Sequence, residues 1–404
     1  MWEHSGKVAI VGLGHSPILR NDDGTPQHRL GALAEFAVEA ALADAGMRLE
    51  DIDGISTAPH QPFEGASTVE GLGEVSSKYL ISALGPKGMK NVQWTDDSGG
   101  LVGHAIINAI QGVASGKAKV AIATRSMNNP RGIRYGHGGA NAQQEIGGPG
   151  QFSAIYGTSG PASFAQVYQR YLWKYNQKRE KMATFAVHER KYGMWNENSF
   201  WRQNRPTVLT RQDYLDARMI AEPLCLFDCD LPVQAAACWL VTTADRARDL
   251  RQKPAYILGT ALTQGRTRST VQKLEESEEF AAEMGRKLKD VSGTTAKDWD
   301  IAEMYDGFLC IAPVWSEGCG VCKPGEFLDF IQDGRIEADG ASPLNVSGGN
   351  NGNGRVQGIP MFYNPVEQIR GTAGKRQVKD AKLIASVMGP FGAGQGIVYS
   401  ASPS

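Results

Sequence analysis

The sequence predicts a layered α/β protein, and three observations carry that reading. Short apolar runs alternate with stretches whose apolar residues recur at helical spacing, the pattern of buried strands separated by helices. Apolar residues make up 41% of the 404, enough to fill a sizeable core and to exclude a disordered or disulfide-stapled class. Glycine supplies 48 residues against an ordinary share of about 7%, which predicts close backbone approaches where loops meet.

Each element follows in order. Residues 7–12 (KVAIVG) read as a strand, and 30–45 as a helix closing at Gly46. Residues 91–95 read as a strand, 101–115 as a helix ending at Gly116, and 119–124 (KVAIAT) as a further strand. Both helices are apolar on more than one face and are expected to be buried. From 126 to about 211 the periodicity gives way to Gly-rich turns, clustered aromatics and scattered basic residues, which we read as an inserted loop domain. An apolar stretch at 235–242 and a charged run at 245–251 close the first half, residues 1–250. The second half, 251–404, opens on a strand at 255–259 and ends in apolar runs at 382–388 and 396–400 across the turn 389–394.

The chain carries 42 basic and 43 acidic side chains, so it has no electrostatic footprint for nucleic acid or an anionic membrane. No run approaches the roughly 18 apolar residues of a membrane span, and residues 1–10 lack a signal-like pattern, so a cytoplasmic location is expected. The six cysteines read as reduced thiols, and Cys225-x-x-x-Cys229 and Cys319-x-x-Cys322 are only half-sites, so no metal is expected. Gly12-Leu13-Gly14 superficially matches a dinucleotide loop, but Pro17 holds the third glycine position and a plain strand-to-loop turn is expected.

Three polar, Gly-flanked segments stand at expected strand ends, where α/β proteins place ligands: Asp96-Asp97-Ser98-Gly99-Gly100, Tyr305-Asp306-Gly307-Phe308, and the run from Asn345 through Gly349, Asn350, Asn351 and Asn353 to Arg355. In their order and spacing, together with Leu226-Phe227-Asp228-Cys229-Asp230-Leu231-Pro232-Val233 and the Gly-rich terminal hairpin, they resemble the thiolase superfamily in its sterol-carrier or lipid-transfer-protein branch. The resemblance runs over essentially the whole chain. It implies two βαβαβαββ halves related by a pseudo-twofold, an inserted loop domain, and a homodimer formed near the nucleophile loop.

The departures from that pattern bear on chemistry. Asp96 stands in the position of the acyl-carrying Cys, Tyr305 replaces the His or Asn of the second motif, Arg355 replaces a general-base His, and the last Cys falls near Met388. A carboxylate is a poor acyl acceptor from a thioester, because the mixed anhydride lies higher in energy, so covalent Claisen chemistry is not expected. Either the chain is a non-catalytic lipid or acyl-CoA carrier, or a structural partner in a thiolase-like complex, or the fold serves chemistry that needs no thiol.

The Tyr at the second motif and the Gly354-Arg355 pair resemble the lipid-transfer-type aldolases that shorten steroid side chains. That resemblance implies retro-aldol cleavage of a β-hydroxyacyl-CoA to a ketone or aldehyde and a shorter acyl-CoA. It further implies a small OB-fold/zinc-ribbon partner completing a heterotetramer. No cofactor is expected, since the thioester carbonyl is already an electron sink. The candidate catalytic residues are Tyr305, Tyr363, Arg355, Asp96 and Asp97, with Asn350, Asn351, Asn353, Gly349 and Ser98 as candidate substrate-binding residues. A nearby Arg355 is expected to favour the Tyr305 phenolate. The plainer alternatives are a packed Tyr305, an Arg355 paired with Asp306 or Asp97, and Asp96 and Asp97 capping a helix that starts near Gly99. Arg125, Arg131, Arg134, Lys174, Lys178, Arg179 and Lys181 are candidates for the CoA phosphates, against a solvated helix face for the run at 178–181.

Overall fold

The computed structural model describes residues 1–59, 67–129, 160–264 and 273–403. Eleven strands lie among them. These are β1 (Val8–His15), β2 (Gly54–Thr57), β3 (Trp94–Asp96), β4 (Val120–Met127), β5 (Met219–Ala221), β6 (Leu224–Cys225), β7 (Ala235–Thr243), β8 (Ala255–Gln264), β9 (Ile301–Met304), β10 (Leu383–Met388) and β11 (Ala393–Ser400). Nine of them form one sheet in the order β3-β2-β4-β7-β1-β8-β11-β10-β9, and β5 and β6 form a separate ribbon.

Read outward from the centre, the sheet repeats itself. On one side β1 is followed by β7, β4 and β2; on the other β8 is followed by β11, β10 and β9. In both halves the second strand is antiparallel to its two neighbours, and the third and fourth strands are parallel. Within the sheet, the halves meet where Ala9 pairs with Tyr256 and Ile10 with Ala255. Even β3 has a counterpart, because Leu344 makes a parallel bridge to Ala302 of β9 as β3 pairs with β2. The thiolase-like α/β fold is therefore written into the topology as a pseudo-twofold, and the Asp96 turn and the Asn345 loop occupy equivalent places in the two halves.

Helix α1 (Leu30–Ala45) lies on β1 with Ala34, Ala37, Ala41 and Ala45 buried and ends at Gly46, whose φ of 71° is the left-handed cap that glycine adopts without strain. Gly12 and Gly14 sit inside β1, and a Cβ at Gly12 would stand 2.5 Å from the Ala41 carbonyl oxygen. These glycines are there for close helix packing, so the expected strand-to-loop turn at this motif is replaced by strand. Helices α2 (Ser77–Leu84) and α3 (Val102–Ala114) complete the first half, with α3 on the sheet face opposite α1.

The excursion between β4 and β7 returns to the sheet only at Ala235, well past the expected end near 211, because the helix Arg211–Leu215, the β5–β6 ribbon and the segment 226–234 all belong to it. Its two longer described helices, Gly160–Lys174 and Ala183–Trp195, bury Tyr168, Tyr171, Phe185 and Tyr192 against the second half. No helix among the described residues is long and apolar enough to cross a membrane.

Candidate active site

The site is built where β9 ends. Tyr305 follows Met304, its N–H donates to the Val387 carbonyl of β10 at 3.0 Å, and its residue is 7% exposed. The ring folds over Gly307, where a Cβ would stand 2.5 Å from the phenol oxygen. Asp306 is fully buried and faces the Asn345 loop. Its carboxylate accepts from the Asn350 N–H and side-chain amide, both at 2.9 Å, and from the Asn351 N–H at 2.8 Å. A carboxylate on three donors at the start of a helical turn is a strong anchor.

The three asparagines complete that anchor. Asn350 Oδ1 accepts from the Gly358 N–H at 2.6 Å, and Asn351 Nδ2 donates to the Phe227 carbonyl at 2.8 Å. Asn353 Nδ2 donates to the Ser347 and Gly349 carbonyls at 2.9 and 2.7 Å, while its Oδ1 accepts from Asn196 at 2.7 Å. These buried amides hold the loop's own backbone and tie it to Phe227 and Asn196 of the insertion. Gly349 has φ 54°, and a Cβ there would stand 2.6 Å from Glu189 Oε1, so packing requires the glycine.

The anchored loop delivers Arg355 beside the segment that returns from the insertion. The Arg355 N–H donates to the Leu231 carbonyl at 2.7 Å, the Asp230 N–H donates to Gly307 at 3.3 Å, and Cys229 bridges Phe308. Arg355 Nε lies 3.9 Å from Asp230 Oδ1, with side-chain exposures of 15% and 1%. Thus the ion pair forms with Asp230, and neither Asp306 nor Asp97. Arg125, wholly buried, joins the same cluster by donating to the Ala58 carbonyl and to Gln357 Oε1. Burial, then the Arg355 charge, pull its guanidinium down to about 9. Such a buried residue does not meet a CoA phosphate at the surface, and its titratable neighbours are Arg355 and Tyr305.

Burial first, and the Asp230 charge second, push the Tyr305 phenol far above its ordinary value, against a smaller opposite pull from Arg355 and Arg125. The phenol is therefore held protonated at neutral pH, and the expected phenolate is not favoured. Desolvation of the anion outweighs the nearby cations.

The Asp96 turn stands apart in its bonding. Asp97 accepts from Thr57 Oγ1 at 2.6 Å and from the N–H and hydroxyl of Ser77 at 2.9 and 2.7 Å, so it ties the end of β2 to the start of α2. Asp96 accepts from the Ser98 N–H and hydroxyl and from Asn108 Nδ2. Neither caps α3, whose N-cap is Leu101 without a side-chain bond. The turn reaches the cluster through the Thr57–Ala58 link to Arg125. Tyr363 instead lines a small pocket with His15, Asn196, Pro360 and Glu367, its ring edge-on to His15 and Trp239. Its phenol is pushed up mainly by burial, then by Glu367 and Asp44, none of which belongs to the Tyr305 cluster.

Lys174 pairs with Glu278 and Lys181 with Asp329, while Arg179 Nε donates to the Pro223 carbonyl, so these three basic groups have partners within the fold. Arg131 and Arg134 lie outside the described residues. The cysteines are free thiols, and no group of three potential metal ligands occurs among the described residues. Sequence reasoning missed three contributors: Asp230, the buried Glu189 below Asp306, and Gln395. Asp230 lay within a recognised segment but carried no local sign of its partner, which is distant in the chain. Gln395 is fully buried with neither amide atom bonded, faces Gly103 near the start of α3, and pairs across the hairpin with Met388, which packs against Gly358.

Comparison with known proteins gives a consistent picture. Residues 263–399 match the family described as thiolase C-terminal domain-like. The chain is 32% identical to a 17-hydroxy-3-oxo-4-pregnene-20-carboxyl-CoA lyase of Mycobacterium tuberculosis, over 91% of this chain and 93% of that one. It is 30% identical to a steroid side-chain-cleaving aldolase of Thermomonospora curvata, over 91% of each. Among solved structures, the Ltp2-ChsH2(DUF35) aldolase superimposes with a TM-score of 0.81 at 27% identity, covering 98% of both chains. With a pseudo-twofold thiolase-like sheet, an Asp in the nucleophile position and full-length similarity to these lyases, the chain belongs to the thiolase superfamily, in the branch of the steroid side-chain-cleaving aldolases.

Proposed function

We propose that this chain is a lyase that cleaves the Cα–Cβ bond of a β-hydroxyacyl-CoA on a steroid side chain, releasing a steroid ketone or aldehyde and a shorter acyl-CoA. The observation that carries the reading is the cluster of a protonated Tyr305 with Asp230 and Arg355 on a thiolase-like frame that lacks the acyl-carrying thiol. Loss of the β-hydroxyl proton leaves the O–H electron pair on oxygen to form the carbonyl π bond, and the C–C electrons pass into the thioester enolate. That enolate is then protonated at its α-carbon. Arg355 and Arg125 supply positive charge where the enolate develops, and Tyr305 supplies a proton held in place by burial.

A small OB-fold/zinc-ribbon partner and a homodimeric core, together a heterotetramer, fit the likeness to the Ltp2-ChsH2(DUF35) aldolase. For the homodimer, β3 is the outermost strand next to the Asp96 turn and offers an edge for pairing with a second copy. The test is incubation of the chain, alone and with such a partner, with 17-hydroxy-3-oxo-4-pregnene-20-carboxyl-CoA, and mass spectrometry of the products. A steroid ketone and a short acyl-CoA are expected. Thioester bound tightly and returned intact in both arms would make the protein a carrier.

A further inference from the structure

We propose that Asp230 is the general base of the cleavage, the group whose carboxylate takes the proton from the substrate's β-hydroxyl. The assignment rests on the aldolase reading above and deepens it.

The position comes from the return segment of the insertion. Residues 229–232 thread between the two loops that carry the other reacting groups: Cys229 bridges Phe308, the Asp230 N–H donates to Gly307, and Pro232 bridges Arg355. Asp230 is thereby held from both sides, at 2% exposure, with its carboxylate toward Arg355 Nε at 3.9 Å and its charge acting on Tyr305. A base fixed by backbone bonds on both flanks is preorganised for a substrate placed against Tyr305 and Arg355.

The neighbouring carboxylates each hold named groups of the surrounding loops. Asp306 holds the Asn350 and Asn351 N–H groups, Glu303 holds Ser347 and Asn364, Asp97 holds Thr57 and Ser77, and Glu189 accepts from Asn345. Tyr305 is protonated and so serves as acid, which leaves the base to be found elsewhere. Asp230 stands 3.9 Å from Arg355 Nε and is bonded through its backbone to Gly307, over which the Tyr305 ring folds.

The proton count closes. Asp230 takes the hydroxyl proton, the O–H electron pair left on oxygen forms the carbonyl π bond, and the Cα–Cβ bond breaks. Its electrons form the thioester enolate. The Tyr305 phenol then gives its proton to the α-carbon, and the protonated Asp230 returns its proton to the phenolate, restoring both groups without a further reactant.

The experiment uses the chain with its partner where the partner is required, and the same steroid β-hydroxyacyl-CoA. Asp230→Asn is expected to lower kcat by about 10²–10⁴-fold with KM changed by no more than a few-fold. In Asp230→Ala, formate is expected to restore at least about tenfold of the lost rate, and neutral formamide to restore none, because formate returns a carboxylate to the vacated space. Should either variant misfold, Asp230→Glu keeps the charge but moves it by one methylene, and kcat is expected to fall at least tenfold at unchanged KM. A wild type that cleaves nothing overturns the aldolase reading and this assignment together. A wild type that cleaves while Asp230→Asn keeps within about threefold of its kcat, or formamide rescue equal to that by formate, overturns the assignment of Asp230 alone.

Discussion

Tyr305 bears the largest burden at the scale of single residues. Tyr305→Phe keeps the ring over Gly307 and removes the transferable proton, so stability should change by about the worth of one hydrogen bond, ~1 kcal/mol. Cleavage should fall by about 10²–10⁴-fold at near-constant KM. Tyr363→Phe should change kcat only a few-fold, since Tyr363 sits with His15 and Trp239 and not with Arg355. Steady-state kinetics on both variants beside a thermal melt check the pair, and the reverse ranking would show that the proton passes through Tyr363. Glu303 makes a separate prediction about pH. Burial pushes its carboxyl up from 4.5 to about 8, only partly offset by bonds from Ser347 and Asn364. A carboxyl with a raised folded-state pKa binds more protons when folded, so its contribution is complete below about pH 4.5 and is lost as pH rises through about 8. Glu303→Gln should therefore lose less stability than the wild type between pH 5 and pH 9, by roughly the part of the linkage this one group carries. Denaturant melts across that range measure it, and parallel curves would refute it.

Among the elements, the two turns at the outermost strand positions, after β3 and after Leu344, differ in how they are held. The Asp96 turn is closed by its own serine and Asn108, whereas the Asn345 loop is held by Asp306, three buried amides and Ser347. Asp97 also ties the first turn to Thr57 and Ser77, while the second leads directly into Arg355 beside Asp230. The terminal hairpin shows the opposite economy. Gln395 is buried with donor and acceptor both unbonded among the described residues, which costs roughly 1–3 kcal/mol. Gln395→Met, of similar length and free of strong polar atoms, should raise the melting temperature by a few degrees. A lowered melting temperature would mean that the amide has a partner in solution.

For the whole molecule, the frame is a condensing-enzyme frame without its thiol. Incubation with acetoacetyl-CoA and free CoA should leave the intact mass unchanged, since Asp96 occupies the nucleophile position and the buried thiols are held protonated, with Cys225 pushed up to about 11 by burial and Asp228. An acyl adduct on any cysteine would contradict this. Residues from the two halves are linked through Arg125, which donates to the Ala58 carbonyl beside the Asp97-bonded Thr57 and to Gln357 near Arg355.

How much of this was legible in the chain depends on the range of the interactions. The helix over 30–45 and its Gly46 cap, the strands β4, β7 and β10, and the hairpin were readable because periodicity and capping are local and act on neighbours along the chain. The short strand β2, wholly buried and only four residues long, carried too few residues to show a period. Motif order sufficed to place Tyr305, Arg355 and Asp96 in a family, and so to predict the absence of thiolase chemistry. It offered Asp306 or Asp97 for Arg355, a favoured Tyr305 phenolate and substrate-binding asparagines, where the structure has Asp230 beside Arg355, a phenol held protonated and asparagine amides bonded within the protein. Those differences turn on desolvation and on contacts between segments far apart in the chain, such as Asp230 with Arg355 and Asp306 with Asn350. Only the folded structure sets the burial and the approach that decide them.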